Sequence, residues 1–206
     1  MSTKYETGAM PQTLLYSPLM TFYTLLAAVV IGSSLLEFNE LLFPPRVTSI
    51  SFWALIPVYI VALDGWFGVV AWSRNIPYTD RPLLRTMVMV LVLIWIVILA
   101  LMYFASRANI SLLSYLWGMV VLFVLSHFMR VIRYRITKQR EPSRIQITCN
   151  ILAFAAAVAY SIWSIIYPPV PDVINWVFVI IAFAILVGFR LWLKIAHIWR
   201  PEEKQY

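Results

Sequence analysis

One carboxylic acid, Asp64, lies close to the middle of the apolar stretch IPVYIVALDGWFGVVAW, residues 56–72. A stretch of this kind is typical of a membrane-spanning helix, which needs roughly 20 mostly apolar residues. A charged side chain at the centre of a bilayer costs about 3 kcal/mol on insertion scales. Asp64 is therefore either a neutral group that hydrogen-bonds to another helix, or a group that handles a proton or a cation.

Other polar residues within apolar runs extend the second hypothesis to a path across the membrane. Glu37 and Glu40 share one face of the first run, and His127 and Asn150 lie in the fourth and fifth runs. At about 1.5 Å of rise per residue, the order by depth is Glu40, Glu37, Asp64, and then His127 with Asn150. Proton relays and ion paths use chains of such residues. The sequence predicts a polar path centred on Asp64, with a position at the membrane surface as the alternative for Glu37 and Glu40.

The elements that would position these side chains are membrane helices. The chain of 206 residues is 62% hydrophobic and 12% charged, whereas about a quarter of the residues in a soluble domain are charged. We expect an all-α fold, a single transmembrane domain over 1–206 with six helices. The fifth helix is rich in alanine, so we expect it at the centre of the bundle, because small residues let helices approach closely. The predicted spans are 19–43, 52–73, 83–105, 111–133, 147–167 and 173–198.

The basic residues predict the orientation of these helices. If the N-terminus is cytoplasmic, only Arg46 and Arg107 of the 16 Lys and Arg residues fall outside. Positive charge is enriched in cytoplasmic loops, so both termini are predicted to be cytoplasmic. The net charge of +7 follows from this asymmetry, and we expect no nucleic-acid partner.

The run RVIRYRITKQREPSR, residues 130–144, is the most basic part of the chain. It is expected to contact anionic lipid headgroups, or to dock an acidic cytoplasmic partner. Its basic residues are Arg130, Arg133, Arg135, Lys138, Arg140 and Arg144.

Signals for enzymes, metals and cofactors are weak. The sequence has no Gly-x-Ser-x-Gly elbow, His-Glu-x-x-His motif or phosphate-binding glycine loop, and Cys149 is its only cysteine. His127 and His197 differ in predicted depth by roughly 12 Å, too much for two axial ligands of one haem. We expect no catalytic site, no metal and no cofactor.

Two functions remain. The first is a small channel or transporter for a proton, a cation or a small solute. The alternative is a non-catalytic membrane subunit that anchors or signals to a partner protein through its basic loop and tail. In either case we expect an integral protein of the plasma (inner) membrane of a prokaryote, acting as a homo-oligomer or as a subunit of a membrane complex.

Overall fold

The computed structural model describes residues 13–73, 81–137 and 144–198, and these residues form helices and short turns with no strand. The all-helical prediction is confirmed. In chain order the helices are α1 (Thr13–Glu37), α2 (Asn39–Leu42), α3 (Ile50–Ser73), α4 (Arg81–Ser106), α5 (Ala108–Thr137), α6 (Arg144–Ile166) and α7 (Asp172–Ile198).

Four of these helices are long and apolar enough to cross a membrane: the spans are Ile50–Gly68, Thr86–Ser106, Ala108–Ile132 and Ile147–Ile166. Each reaches the roughly 20 residues that a bilayer requires. These four helices indicate an integral membrane protein. Two further apolar stretches, Thr24–Glu37 in α1 and Asp172–Gly188 in α7, are shorter.

Prolines mark one end of the bundle, because proline cannot continue a helix. Pro44 and Pro45 follow α2, and Pro168 and Pro169 separate α6 from α7; we call this the proline end. The opposite end, where α5 finishes at Thr137, is the basic end. The first predicted span ran to residue 43, but α1 ends at Glu37 because Phe38 has a non-helical ψ of 20°.

α3 is the central helix. It packs against α1, α2, α4, α5 and α7, and its half nearer the proline end is mostly buried, with Ala54, Leu55 and Val58 almost inaccessible. Beyond Ala62 the helix emerges from its neighbours, since Leu63 is 40% exposed and Phe67 is 61% exposed. α3 therefore changes at mid-length from a core helix to one that is covered on only part of its surface.

The expectation that the alanine-rich helix is central is wrong. α6 packs mainly against α5 and α7, and 22% of its candidate span is buried, compared with 44% for α3. Ala153 and Ala157 are buried, but Ile151, Phe154 and Ile165 on other faces are exposed. Small residues decide how closely a helix approaches one neighbour, and large apolar residues can face lipid without penalty, so alanine content does not indicate the number of neighbours.

α4 and α5 form a tight hairpin. A β-carbon added at Gly118 of α5 would lie 2.9 Å from the Cδ2 atom of Leu101 on α4, closer than atoms of this kind approach. Leu101 is fully buried together with Trp95 and Met102 of the same helix. The missing side chain at Gly118 thus sets the spacing of the two helices at this level.

Candidate functional site

Buried hydrogen bonds tie α3 to its neighbours in the part of the bundle between mid-span and the proline end. The Tyr59 hydroxyl on α3 donates to Ser34 Oγ on α1 over 2.8 Å. The Tyr115 hydroxyl on α5 donates to the carbonyl oxygen of Ala54 on α3 over 3.1 Å. These tyrosines bury their rings and still satisfy their polar atoms.

Two further bonds attach α6. The Trp117 indole on α5 donates to Ser161 Oγ over 3.2 Å, and the Tyr160 hydroxyl donates to Asn175 Oδ1 on α7 over 2.8 Å. Together the four bonds connect α1, α3, α5, α6 and α7 in series. Polar side chains in this part of the protein act as links between helices.

Within the part of the chain that the structure describes, three buried polar atoms nearer the basic end have no hydrogen-bond partner. They are the Nε1 atom of Trp66, the Nδ1 atom of His127 and the Oδ1 atom of Asn150. A buried polar atom without a partner costs about 1–3 kcal/mol, and most such atoms in proteins are paired. Three of them, on α3, α5 and α6, call for an explanation.

Trp66 and His127 lie at a common depth. The hydrogen bond between Tyr115 and Ala54 provides the register, because α3 and α5 both run from the proline end towards the basic end. Trp66 lies twelve residues after Ala54, and His127 lies twelve residues after Tyr115. Each Cα atom is therefore about 18 Å further along its helix than the Cα atom of the residue that makes this bond, which gives Trp66 and His127 similar depths.

Asn150 lies at this depth as well. α5 and α6 are antiparallel, and the bond from Trp117 to Ser161 joins them. His127 lies ten residues after Trp117, and Asn150 lies eleven residues before Ser161. Eleven residues are about three helical turns, so Asn150 shares the face of α6 that Ser161 turns towards α5. The imidazole of His127 and the amide of Asn150 thus lie at a similar depth on neighbouring helices.

A second observation supports this placement. Arg130, one turn after His127, is close enough to Cys149 for its charge to act on the thiol, and Cys149 precedes Asn150 on α6. Arg130 of α5 and Cys149 of α6 therefore approach each other at the depth of His127 and Asn150.

Asp64 lies at nearly the same depth and is half-buried. Its candidate span, Ile50–Gly68, is centred on Tyr59, five residues before Asp64. The carboxyl group is therefore about 7–8 Å from mid-span towards the basic end, whereas the sequence indicated a position close to the middle. We call Asp64, Trp66, His127 and Asn150 the polar tier.

The two glutamates lie apart from the polar tier. Glu37 is the exposed last residue of α1, and its charge acts on the Tyr59 hydroxyl. Glu40 is exposed and lies 3.9 Å from Arg46. From Tyr59 to Trp66 the chain advances about 10 Å along α3. A polar path that joins the glutamates to the polar tier stays a prediction.

The basic run begins inside α5. Arg130 is half-buried and Arg135 is exposed in the last turn of the helix. The backbone of Arg133 lies on α5, and Arg144 is the first residue of α6. The predictions for Lys138 and Arg140 fall outside the described residues. Because α5 continues into the basic run, the first arginines of that run lie at the basic end of the bundle.

Trp66 is a member of the polar tier that the sequence did not single out. The sequence did contain a signal for Trp66, which lies two residues after an acid and deep in an apolar run. A buried tryptophan N–H normally has an acceptor, so such a tryptophan indicates a polar group nearby. Over the described ranges, no group of three His, Cys, Asp or Glu side chains could hold a metal ion.

No protein-family model matches this chain, and no curated protein or solved structure matches it either. The function is accordingly inferred from the residues of the polar tier and from the basic run.

Proposed function

We propose that this protein is a small membrane channel or transporter in which the polar tier handles a proton, a cation or a small solute. The observation that carries the proposal is the set of three buried polar atoms that have no partner among the described residues and lie at a similar depth to Asp64. A bundle that needed polar residues only as links would pair them, as Tyr59, Tyr115 and Tyr160 are paired. Groups that exchange a small occupant instead need free hydrogen-bonding capacity.

The proposal includes six membrane spans with both termini in the cytoplasm. α1 has 25 residues and α7 has 27, so their backbones extend about 38 and 40 Å, longer than the hydrocarbon core of about 30 Å. The basic end then faces the cytoplasm, and the polar tier is reached from that side.

Reporter fusions test this orientation. A reporter placed after Tyr206 is expected to give a cytoplasmic signal, and one inserted within 44–50 is expected to give an external signal, because positively charged segments stay inside. The measurement is the activity of paired reporters that work on opposite sides of the membrane. An external signal after Tyr206 would reverse the proposed direction of the polar tier.

Flux measurements test the function itself. The purified chain, reconstituted in liposomes with an imposed gradient of H⁺, Na⁺ or K⁺, is expected to dissipate at least one gradient faster than protein-free liposomes do. Equal decay of all gradients, together with stable co-purification of a second polypeptide in mild detergent, would favour the non-catalytic subunit instead.

The subunit is the second candidate because of the basic run. α5 continues past its membrane span, which ends at Ile132, to Thr137, and Arg135 is exposed there. A rigid, charged helix end at the basic end of the bundle is a surface that an acidic protein partner or anionic lipid headgroups could contact.

Neutralising four residues of the basic run is expected to weaken its association with an acidic surface. Glutamine at Arg133, Arg135, Lys138 and Arg140 together removes four charges, each worth on the order of 1 kcal/mol near an anionic membrane. The measurement compares the original and the substituted peptide of residues 130–144 in their binding to vesicles with and without anionic lipid, at low and high salt. Binding that ignores both salt and the substitutions would exclude an electrostatic basis.

A further inference from the structure

We propose that α3 has a hinge at Pro57, and that bending there moves the half of the helix that carries Asp64. Residues 58–73 are called the distal half of α3. The hydrogen bond from the Tyr59 hydroxyl to Ser34 Oγ holds this half against α1. The inference concerns a motion of the helix, and it does not require that the protein transports a solute.

The hydrogen-bond ladder of α3 is interrupted at Pro57, which lies inside the helix and is fully buried. Proline has no backbone N–H, so it cannot donate to the carbonyl oxygen of Trp53, four residues earlier, and its ring crowds that carbonyl. The next carbonyl, that of Ala54, accepts a hydrogen bond from the Tyr115 hydroxyl of α5. Sharp kinks in helices occur almost always at prolines or where another group enters the ladder. Both features fall in one turn of α3, which is therefore where the helix can bend.

The two sides of this turn differ in packing. Before it, Ala54 and Leu55 are inaccessible to solvent. In the distal half, Phe67 is exposed, and a β-carbon built at Gly65 or Gly68 would meet no atom within 4 Å. The distal half therefore has free space beside it, whereas packing fixes the half before Pro57.

A moderate bend gives a displacement that can be measured. Phe67 lies ten residues after Pro57, or about 15 Å along the helix. A change of about 20° at the hinge then moves Phe67 by roughly 5 Å. Ala62 is buried but lies only five residues from the hinge, so the same bend moves it by about 2–3 Å. The buried residues next to Pro57 are thus displaced much less than the far end of the helix.

The bond between Tyr59 and Ser34 favours the position seen in the structure. Tyr59 lies two residues after Pro57, and its partner Ser34 on α1 is almost fully buried. A hydrogen bond between two membrane helices changes an equilibrium by only about three-fold on average. This bond therefore holds the distal half against α1 without preventing the bend.

Bending at Pro57 rearranges the polar tier. Asp64 and Trp66 lie on the distal half of α3, whereas His127 lies on α5 and Asn150 on α6. Because α5 and α6 do not contain the hinge, the bend changes the separation between the two pairs. The polar tier then has two arrangements, and the structure shows one of them.

Distances between spin labels test the hinge. The background is Cys149→Ser, which removes the single cysteine. Labels at Phe67→Cys and Ile151→Cys report the position of the distal half relative to α6. Labels at Ile96→Cys and Ile151→Cys form a reference pair outside α3, and all three labelled positions are exposed. Pulsed electron double resonance of the full chain in nanodiscs gives the distribution of each distance.

Tyr59→Phe removes the hydrogen bond and keeps the ring. The share of Phe67–Ile151 distances displaced by about 5 Å is expected to rise about three-fold. Pro57→Ala supplies the missing N–H, so it is expected to remove the displaced distances, both alone and in combination with Tyr59→Phe. The reference pair should keep its distribution in every variant.

Tyr160→Phe is the matched control, since it removes a buried tyrosine hydroxyl that joins α6 to α7 and does not bond to α3. It should leave both distributions unchanged. An unaltered Phe67–Ile151 distribution in Tyr59→Phe, an equal rise when Pro57→Ala is also present, or an equal response to Tyr160→Phe would overturn the hinge. If Tyr59→Phe does not fold, Ser34→Ala removes the same hydrogen bond from the side of α1 and decides the question.

The distances are measured without an imposed gradient, so the hinge and the transport function can fail separately. The expected displacements without flux in any gradient would leave the hinge and reject transport. Flux from a protein whose distances ignore Tyr59→Phe and Ser34→Ala would reject the hinge alone.

Discussion

Replacement of Asp64 by asparagine is expected to leave the bundle folded and to reduce flux in liposomes to the level of protein-free vesicles. Asparagine has nearly the same shape as aspartate and keeps hydrogen-bonding capacity, but it cannot gain or lose a proton or neutralise a cation. Asp64→Glu keeps the carboxyl group on a longer side chain, and it should retain part of the flux with a changed pH dependence.

Size-exclusion chromatography in detergent checks folding, and the decay of an imposed gradient checks flux, for the Asn, Glu and Leu variants side by side. Asp64→Leu serves as the control for a purely structural role, since interhelical hydrogen bonds in membranes average only about 0.6 kcal/mol and leucine has no cost of burial. Wild-type flux from the Asn variant would reduce Asp64 to a structural group and remove it from the polar tier's function.

Valine at Gly118 is expected to destabilise the protein by about 1–3 kcal/mol, the usual cost of overfilling a packed core. The reason is the contact across the α4–α5 hairpin, where an added β-carbon would be 2.9 Å from Leu101 Cδ2. Gly188→Val is the matched control, because a β-carbon at that exposed position of α7 meets no atom within 4 Å. Thermal unfolding in detergent measures both variants.

A double variant tests whether Leu101 is the cause. Leu101→Ala alone leaves a cavity and is expected to cost about 2–5 kcal/mol, but it also makes room for valine at Gly118. The combined cost in Gly118→Val/Leu101→Ala should therefore be smaller than the sum of the single costs. Strictly additive costs, or equal losses from valine at Gly118 and Gly188, would contradict this account of the hairpin.

Much of the fold was predictable from hydropathy. Runs of apolar residues predicted the positions of the helices, because the cost of unpaired backbone in lipid acts locally. These properties depend on one segment at a time.

Contacts between helices were not predictable in the same way. Alanine content suggested a central α6, whereas α3 has that position, because contacts depend on the rotation of the helices about their axes. Lipid-facing and protein-facing surfaces of a membrane helix can both be apolar, so the sequence contains little information on rotation. The role of Trp66 became visible only through the burial of its Nε1 atom.

The central position of α3 has a consequence for biogenesis. α3 is an early helix, yet it packs against α7, the last of the described helices, with Trp53 and Phe183 in edge-to-face contact at 6.0 Å. Membrane helices insert as separate units before they associate. During synthesis one side of α3 must therefore stay uncovered until more than 100 further residues have been translated, and the packing around the central helix is completed only when α7 has been made.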